Sequence, residues 1–235
     1  MGNRSGGTEP APREDVAASS PRFAYRSPRE LVARYALLLA GLAVMAAGVT
    51  LSIRSDLGTS PISSVPYALS EVAPVTVGEA TILLHCLLVL LQLVVLRRRF
   101  LPGRLVQVPV GVAFGFMTDV AVAAAQGLAP TAYWQQWALC LAGVVLVAVG
   151  VSFEFKADVV MLAGEGTVDA FAKAFPIQRG NMKVVFDVSL VVVACAMGLL
   201  LLGRVVGVRE GTVAAAVLVG LVARRIGGIL RFSFA

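Results

Sequence analysis

Two ionisable side chains stand deep in long apolar runs: His85 in the run 79–96, and Asp187 in the run 184–202. A histidine and a carboxylate can relay a proton or coordinate a cation. Charge at such depth costs about 3 kcal/mol on insertion scales, so each group has to face a cavity or a partner. Packing offers a plainer account: Lys183 lies four residues before Asp187 and can pair with it, and a neutral His85 can hydrogen-bond a neighbouring helix.

A second pattern occurs twice. A basic-x-acidic step, Arg54-Ser55-Asp56, precedes Leu57-Gly58-Thr59-Ser60-Pro61; a second step, Lys156-Ala157-Asp158, precedes Gly164-Glu165-Gly166-Thr167. Thr59 or Ser60 can cap a short helix that has Pro61 in its first position and runs past Tyr67 and Ser70 to end near Pro74. Thr167 is the expected cap of the matching helix. A helix that begins inside a membrane offers free N–H groups and partial positive charge to an anionic or carbonyl-bearing ligand. Alternatively, Arg54, Asp56, Lys156 and Asp158 seal the loop ends as ion pairs. The candidate substrate-binding set is Arg54, Asp56, Thr59, Ser60, Pro61, His85, Lys156, Asp158, Glu165, Thr167 and Asp187. Gln92, Gln107, Asp119 and Glu79 rank lower, because most lie near the ends of apolar runs.

The elements that must position these residues are membrane helices. Of 235 residues, 58% are hydrophobic and 14% charged, where soluble domains carry roughly 25% charged residues. Apolar runs at about 31–53, 79–96, 105–127, 133–153, 184–202 and 212–226 are each near the ~20 residues that cross a bilayer. They do not alternate with period two, which excludes a β-barrel. The stretches 57–75 and 159–175 are broken by Gly, Pro, Ser and acidic residues, so each is a full span or a re-entrant half-helix. Six spans with both termini cytoplasmic place 17 basic residues inside and 3 outside, whereas eight spans give 12 against 8. The positive-inside rule selects six. Trp134 and Trp137 then fall at the outer interface.

Displaced by 102 residues, the chain matches itself at Gly41/Gly143, Gly48/Gly150, Asp56/Asp158, Pro74/Pro176 and Gly78/Gly180. There are ten identities over the 52 positions 41–92, where roughly four or five follow from composition. The shift also carries His85 onto Asp187. Each half reads as span, interrupted segment, span, span; three crossings are an odd number, so the second half is inverted. Inverted repeats with discontinuous helices are a recurring design of secondary transporters, and a duplication kept for packing is the alternative.

Other classes recede. The excess of +6 lies in loops and in the tail, so nucleic acid is not an expected partner. Cys86, Cys140 and Cys195 have no metal spacing and read as small buried hydrophobes. With one histidine and no phosphate-cradling loop or nucleophile elbow, the chain is read as no enzyme, and no metal or cofactor is expected. Gly111 to Gly115, Gly203 to Gly207 and Gly207 to Gly211 have the small-xxx-small spacing of close helix packing. Arg209-Glu210-Gly211-Thr212 reads as a paired, capped start of the last span.

These residues resemble the YczE-like family of bacterial integral membrane proteins, related to the YitT group. The likeness rests on Ser52 to Pro61, on Lys156-Ala157-Asp158 with Gly164-Glu165-Gly166, on Phe186-Asp187-Val188-Ser189 and on Val206 to Thr212, and it covers roughly 31–225. Ile62 stands where the related branch often has Trp, and Ala163 where a proline is common. The resemblance implies a bacterial plasma-membrane location and a multi-span fold, and it assigns no activity.

The resulting expectation is an all-α polytopic protein of six transmembrane helices in two inverted three-helix repeats. Residues 1–28 form a disordered cytoplasmic tail, 29–127 repeat 1 and 128–235 repeat 2. The expected function is transport of a small molecule or ion through a pseudo-symmetric central site, with the lipid bilayer as surroundings and a homo-oligomer as a possible assembly. The alternative is a membrane scaffold that binds a partner through its basic cytoplasmic loops.

Overall fold

A computed structural model describes residues 27–175 and 177–229, with side chains to 226, so the tail, Pro176 and Arg231 lie outside the described residues. Eight α-helices follow in order: α1 Pro28–Arg54, α2 Pro61–Val72, α3 Val77–Leu96, α4 Gln107–Ala124, α5 Tyr133–Ala157, α6 Ala163–Ala174, α7 Arg179–Leu202 and α8 Glu210–Ile229. Short 3-10 turns, Arg97–Arg99 and Pro102–Val106, join α3 to α4. Five helical stretches are long and apolar enough to cross a membrane: Pro28–Arg54, Val77–Arg99, Pro102–Ala124, Tyr133–Ala157 and Arg179–Leu202. The protein is a multi-pass helical membrane protein.

Local chemistry sets the helix starts. Ser27 Oγ accepts the Glu30 N–H at 3.3 Å, and Pro28 occupies the first turn of α1. Thr76 and Glu79 form a reciprocal capping box at α3, and Asp119 reaches across from α4 to accept the Gly78 N–H at 2.7 Å. Other starts differ from expectation. Ser60 is the N-cap residue of α2, but its hydroxyl donates to Ser63 Oγ at 3.0 Å and caps no backbone group. α6 begins at Ala163, four residues before Thr167, whose hydroxyl turns back onto the Ala163 carbonyl at 2.7 Å. Thr167 is therefore not the cap of that helix. α5 and α7 also run past the apolar stretches, to Ala157 and from Arg179, because Lys156, Arg179 and Lys183 continue the helix in polar surroundings.

α1 and α5 form the centre and lie antiparallel along a seam of four glycines. Gly41 abuts the Gly150 carbonyl and Gly48 abuts that of Gly143, and a β-carbon on Gly48 would stand 2.7 Å from that oxygen. Without side chains the backbones approach as closely as helices can. Leu38, Leu42, Met45, Ala46 and Val49 of α1 pack in one core with Val110 and Phe114 of α4 and Val147 of α5. α3 pairs with α4, where Gly111 and Gly115 receive His85 and Ile82 as the small-xxx-small spacing implies. Gly203 and Gly207 do not follow that pattern. They lie in the α7–α8 connection with φ of +67° and +72°, where they turn the chain.

The two short helices pack across the halves: α2 lies against α7, and α6 against α3. The bundle has two ends. At one, Arg209 meets Asp56; at the other, Arg34 Nη1 donates to the Ala157 carbonyl at 3.1 Å, beside Asp158. α2 leaves by the same end at which α1 arrives, since Glu71 in its last turn pairs with Arg204 at 3.3 Å beside α8's start. α6 likewise stays at the Asp158 end. The outer faces of α3 and α7 carry exposed Leu83, Leu87, Leu90, Val184, Val188 and Val192, a surface suited to lipid.

Candidate functional site

Asp56 and Asp158, 102 residues apart, both take the left-handed conformation, with φ of +57° and +46°. Aspartate tolerates that geometry better than most residues. Each turns the chain sharply at the end of a long helix, and in both halves a short helix starts five residues later, at Pro61 and at Ala163. The tips of these helices meet in the interior: Ile62 Cδ1 occupies the space a β-carbon on Gly164 would need. Ala163 is fully buried there among Leu84, Leu88 and Val89, with Ile62 and Val65 packed alongside. The junction is apolar and closed.

At the Asp56 end the α1–α2 connection is stitched to the α7–α8 connection. Thr59 N–H donates to the Gly207 carbonyl at 3.0 Å, Gly211 N–H to that of Leu57 at 2.8 Å, and Arg209 Nη1 to that of Asp56 at 2.7 Å. Asp56 is paired with Arg209 and not with its neighbour Arg54, whose Nη2 donates to the Val122 carbonyl at 3.3 Å. A cavity of about 70 Å³ lies behind these contacts, lined by Asp56, Thr59, Tyr67, Glu71, Arg204 and Arg209 among others. Both signs of charge border it.

The Asp158 end is built differently. Gln92, with no exposed surface, donates from Nε2 to Gln107 Oε1 at 2.9 Å and to the Ala163 carbonyl at 3.2 Å. Arg104 donates to Gln92 Oε1 at 3.0 Å and to the Gly166 carbonyl at 3.2 Å, and pairs with Asp169 at 2.7 Å. This network pins α6 to α3 and α4. Gln92 is thus a central buried residue, not a solvated one at a span end. Glu165, in the first turn of α6, faces Lys183 at 3.4 Å and Arg179 at 3.9 Å, and Lys183 also pairs with Asp187 at 2.9 Å.

The structure therefore divides the candidate residues. Asp56, Thr59, Ser60 and Pro61 gather at the start of α2; Glu165, Thr167 and Asp187 gather about α6; Lys156 lies in the last turn of α5, and Asp158 turns the chain after it. His85 is set apart from Asp187, between α3 and α4. Its Nδ1 hydrogen-bonds the Thr81 carbonyl at 2.8 Å, its ring stands edge-on to Phe114 with centroids 5.8 Å apart, and Gly111 lies against it. Nε2 of His85 and Nε of Arg54 are buried with no hydrogen-bond partner among the described residues.

Sequence reasoning missed Glu154. It is 3% exposed in the last turns of α5 and accepts the Leu162 N–H at 2.7 Å, so it caps α6 from eight residues upstream. The available signal was an acidic residue at the edge of an apolar run, two positions before Lys156. Ile62 was also passed over, its role being set by the partner half. Among the described residues no group of three or more His, Cys, Asp or Glu is placed to hold a metal ion, and Cys86 and Cys195 are half-buried where full burial was expected.

No curated protein and no solved structure matches the chain. A family model does, over residues 32–227, and the chain belongs to that family of unknown function, DUF6198.

Proposed function

We propose that the protein is a transporter of a small polar molecule or ion, built as two inverted repeats of three spans and a re-entrant half-helix. The observation that carries this reading is the meeting of the half-helix tips at Ile62 and Gly164, residues 102 apart in the chain. A residue touches its own repeat counterpart only near a two-fold axis. The glycine seam agrees, since exchanging the halves turns Gly41 against Gly150 into Gly143 against Gly48. So does the packing of α2 on α7 and of α6 on α3. α8, at 20 residues, is taken as the sixth span; it runs parallel to α5, with Gly211 beside Cys140 and Ala223 beside Ser152. The positive-inside count then sets the Asp158 end in the cytoplasm of a cell membrane. The likeness to the YczE-like family is part of the same reading.

In this arrangement the two broken helices point their N-termini towards the midplane from opposite sides, where oriented N–H groups can bind an anionic or carbonyl-bearing solute. The apolar junction of Ile62, Ala163 and Gly164 is the barrier, and moving one half-helix opens one side. The cavity lined by Tyr67, Arg204 and Arg209 is the closed mouth on the Asp56 side. His85 and Asp187 act as polar wall groups. Proteoliposomes loaded with metabolite and cation pools test the reading: flux above empty liposomes is expected, reduced by His85→Ala and Asp187→Asn. No flux for any pool contradicts it.

One observation favours a scaffold instead: Arg97, Arg98 and Arg99 stand exposed together in a 3-10 turn. A crosslinked pull-down with these arginines neutralised separates the readings. A scaffold loses its partner with them and tolerates the His85 and Asp187 changes.

A further inference from the structure

We propose that Glu154 is a proton-binding site, loaded from the Asp158 end, whose occupancy sets how firmly α6 is seated. Glu154 is buried at the end of α5 with its Oε1 on the Leu162 N–H, 2.7 Å away, at the N-cap of α6. A helix cap needs no charge, since serine, threonine or asparagine serves equally. The counterpart position 52 is a serine, 4% exposed, whose hydroxyl donates to the Gly48 carbonyl of its own helix at 3.1 Å and caps no group of α2. Only the second half carries an ionisable group at this place. A carboxylate enclosed in a membrane-embedded core requires a proton or a counter-charge.

The charges facing it are largely committed. From α1, Arg34 bonds Glu30 at 2.8 Å and the Ala157 carbonyl. α6 contributes Glu165, another acid, and α7 contributes Lys183, already shared between Asp187 and Glu165, along with Arg179 against Glu165. On α8, Arg224 and Arg225 follow Ala223, whose carbonyl is 3.4 Å from Ser152 Oγ; on α5 itself Lys156 and then Asp158 follow. Lys183 and Arg179 pair with Glu165 and Asp187, and among the described residues no cation stands within ion-pair distance of Glu154, which leaves it to be neutralised by a proton. A proton from bulk water adds to the carboxylate to give the neutral acid and returns by the same turn, with no other bond made or broken.

The proton has a mechanical consequence. Ionised Glu154 holds the first turn of α6 by a charge-assisted hydrogen bond and by its attraction to the helix N-terminus. Neutral Glu154 keeps only an ordinary hydrogen bond. The loosened turn, Ala163 and Gly164, is the one that meets Ile62 at the closed junction. Coupling of the proton to transport rests on the function proposed above; binding of the proton does not.

Infrared difference spectra, acid minus alkaline, of the full chain in lipid bilayers test it. Wild type should show the carbonyl stretch of a protonated carboxylic acid in apolar surroundings, shifted in D2O and lost as the medium turns alkaline. The band should vanish in Glu154→Gln and persist in Asp187→Asn. No band in wild type, or one undiminished in Glu154→Gln, overturns the proposal. Should Glu154→Gln fail to fold, Glu154→Asp takes its place: a band whose midpoint moves supports the site, and an unmoved midpoint overturns it. A band of this kind without flux in proteoliposomes refutes the transport reading and leaves the proton site standing.

Discussion

Glycine-to-alanine changes in helices have opposite expected signs in this protein. Alanine is favoured over glycine in a helix by about 1 kcal/mol, so an unobstructed site gains from the change. Gly220 of α8 is such a site, with no atom within 4 Å of an added β-carbon. At Gly48 the same carbon stands 2.7 Å from the Gly143 carbonyl oxygen, 2.7 Å from the Val147 nitrogen and 2.9 Å from Val147 Cγ2. Ordinary contact begins near ~3.5 Å, so the shortfall is about 0.8 Å. Two of the three obstacles are α5 backbone, which cannot rotate away, and the central helices must part. Overpacking of this kind costs about 1–3 kcal/mol, which leaves a net loss of up to about 2 kcal/mol once the propensity gain is set against it. At roughly 2–4 °C per kcal/mol, Gly48→Ala should lower the apparent Tm in detergent by up to about 8 °C, and Gly220→Ala should raise it by about 2–4 °C. The assay is thermal unfolding of the full chain followed by loss of monodisperse protein. Equal effects at the two sites, or a stabilised Gly48→Ala, would refute the seam.

Arg104→Met should cost about 1–3 kcal/mol, because it leaves Gln92 Oε1 without its donor in the interior while Asp169 keeps Lys173 at 3.0 Å; Arg204→Met, whose partner Glu71 is bound at a surface where the arginine is 67% exposed, should cost under ~1 kcal/mol. Thermal unfolding of the two variants side by side reads the difference. His85→Leu should hold stability within about 1 kcal/mol, since it gives up one bond, Nδ1 to the Thr81 carbonyl of its own helix, and removes a buried Nε2 that has no partner, while proteoliposome flux falls; unchanged flux assigns the ring to packing alone.

Much of the architecture was legible because backbone needs show in residue type. Pro61 announced the start of α2, and the Asp56/Asp158 match marked two left-handed turns. The start of α6 was misplaced at Thr167 for a physical reason: its cap is Glu154, a side chain from the preceding helix, and nothing local at Leu162 or Ala163 signals it. Gln92 was set at a solvated span end because a run of apolar letters does not reveal that Gln107 and α6 close over it. Ile62 carried no signal, since an apolar residue acquires meaning at the junction only when the other half supplies Gly164. Glycine spacing succeeded at Gly111 and Gly115 and misled at Gly203 and Gly207, where the same letters turn a loop.

The central claim is that α2 and α6 enter from opposite sides of the membrane. Glu71 and Lys173 occupy corresponding places, near the last turns of the two short helices, and both are exposed. In a variant with Cys86, Cys140 and Cys195 replaced, a single cysteine at position 71 or 173 can be labelled with a membrane-impermeant maleimide in vesicles of known orientation. Position 71 should react only from the outside and position 173 only from the cytoplasmic side. Reaction of both from the same side would contradict the account.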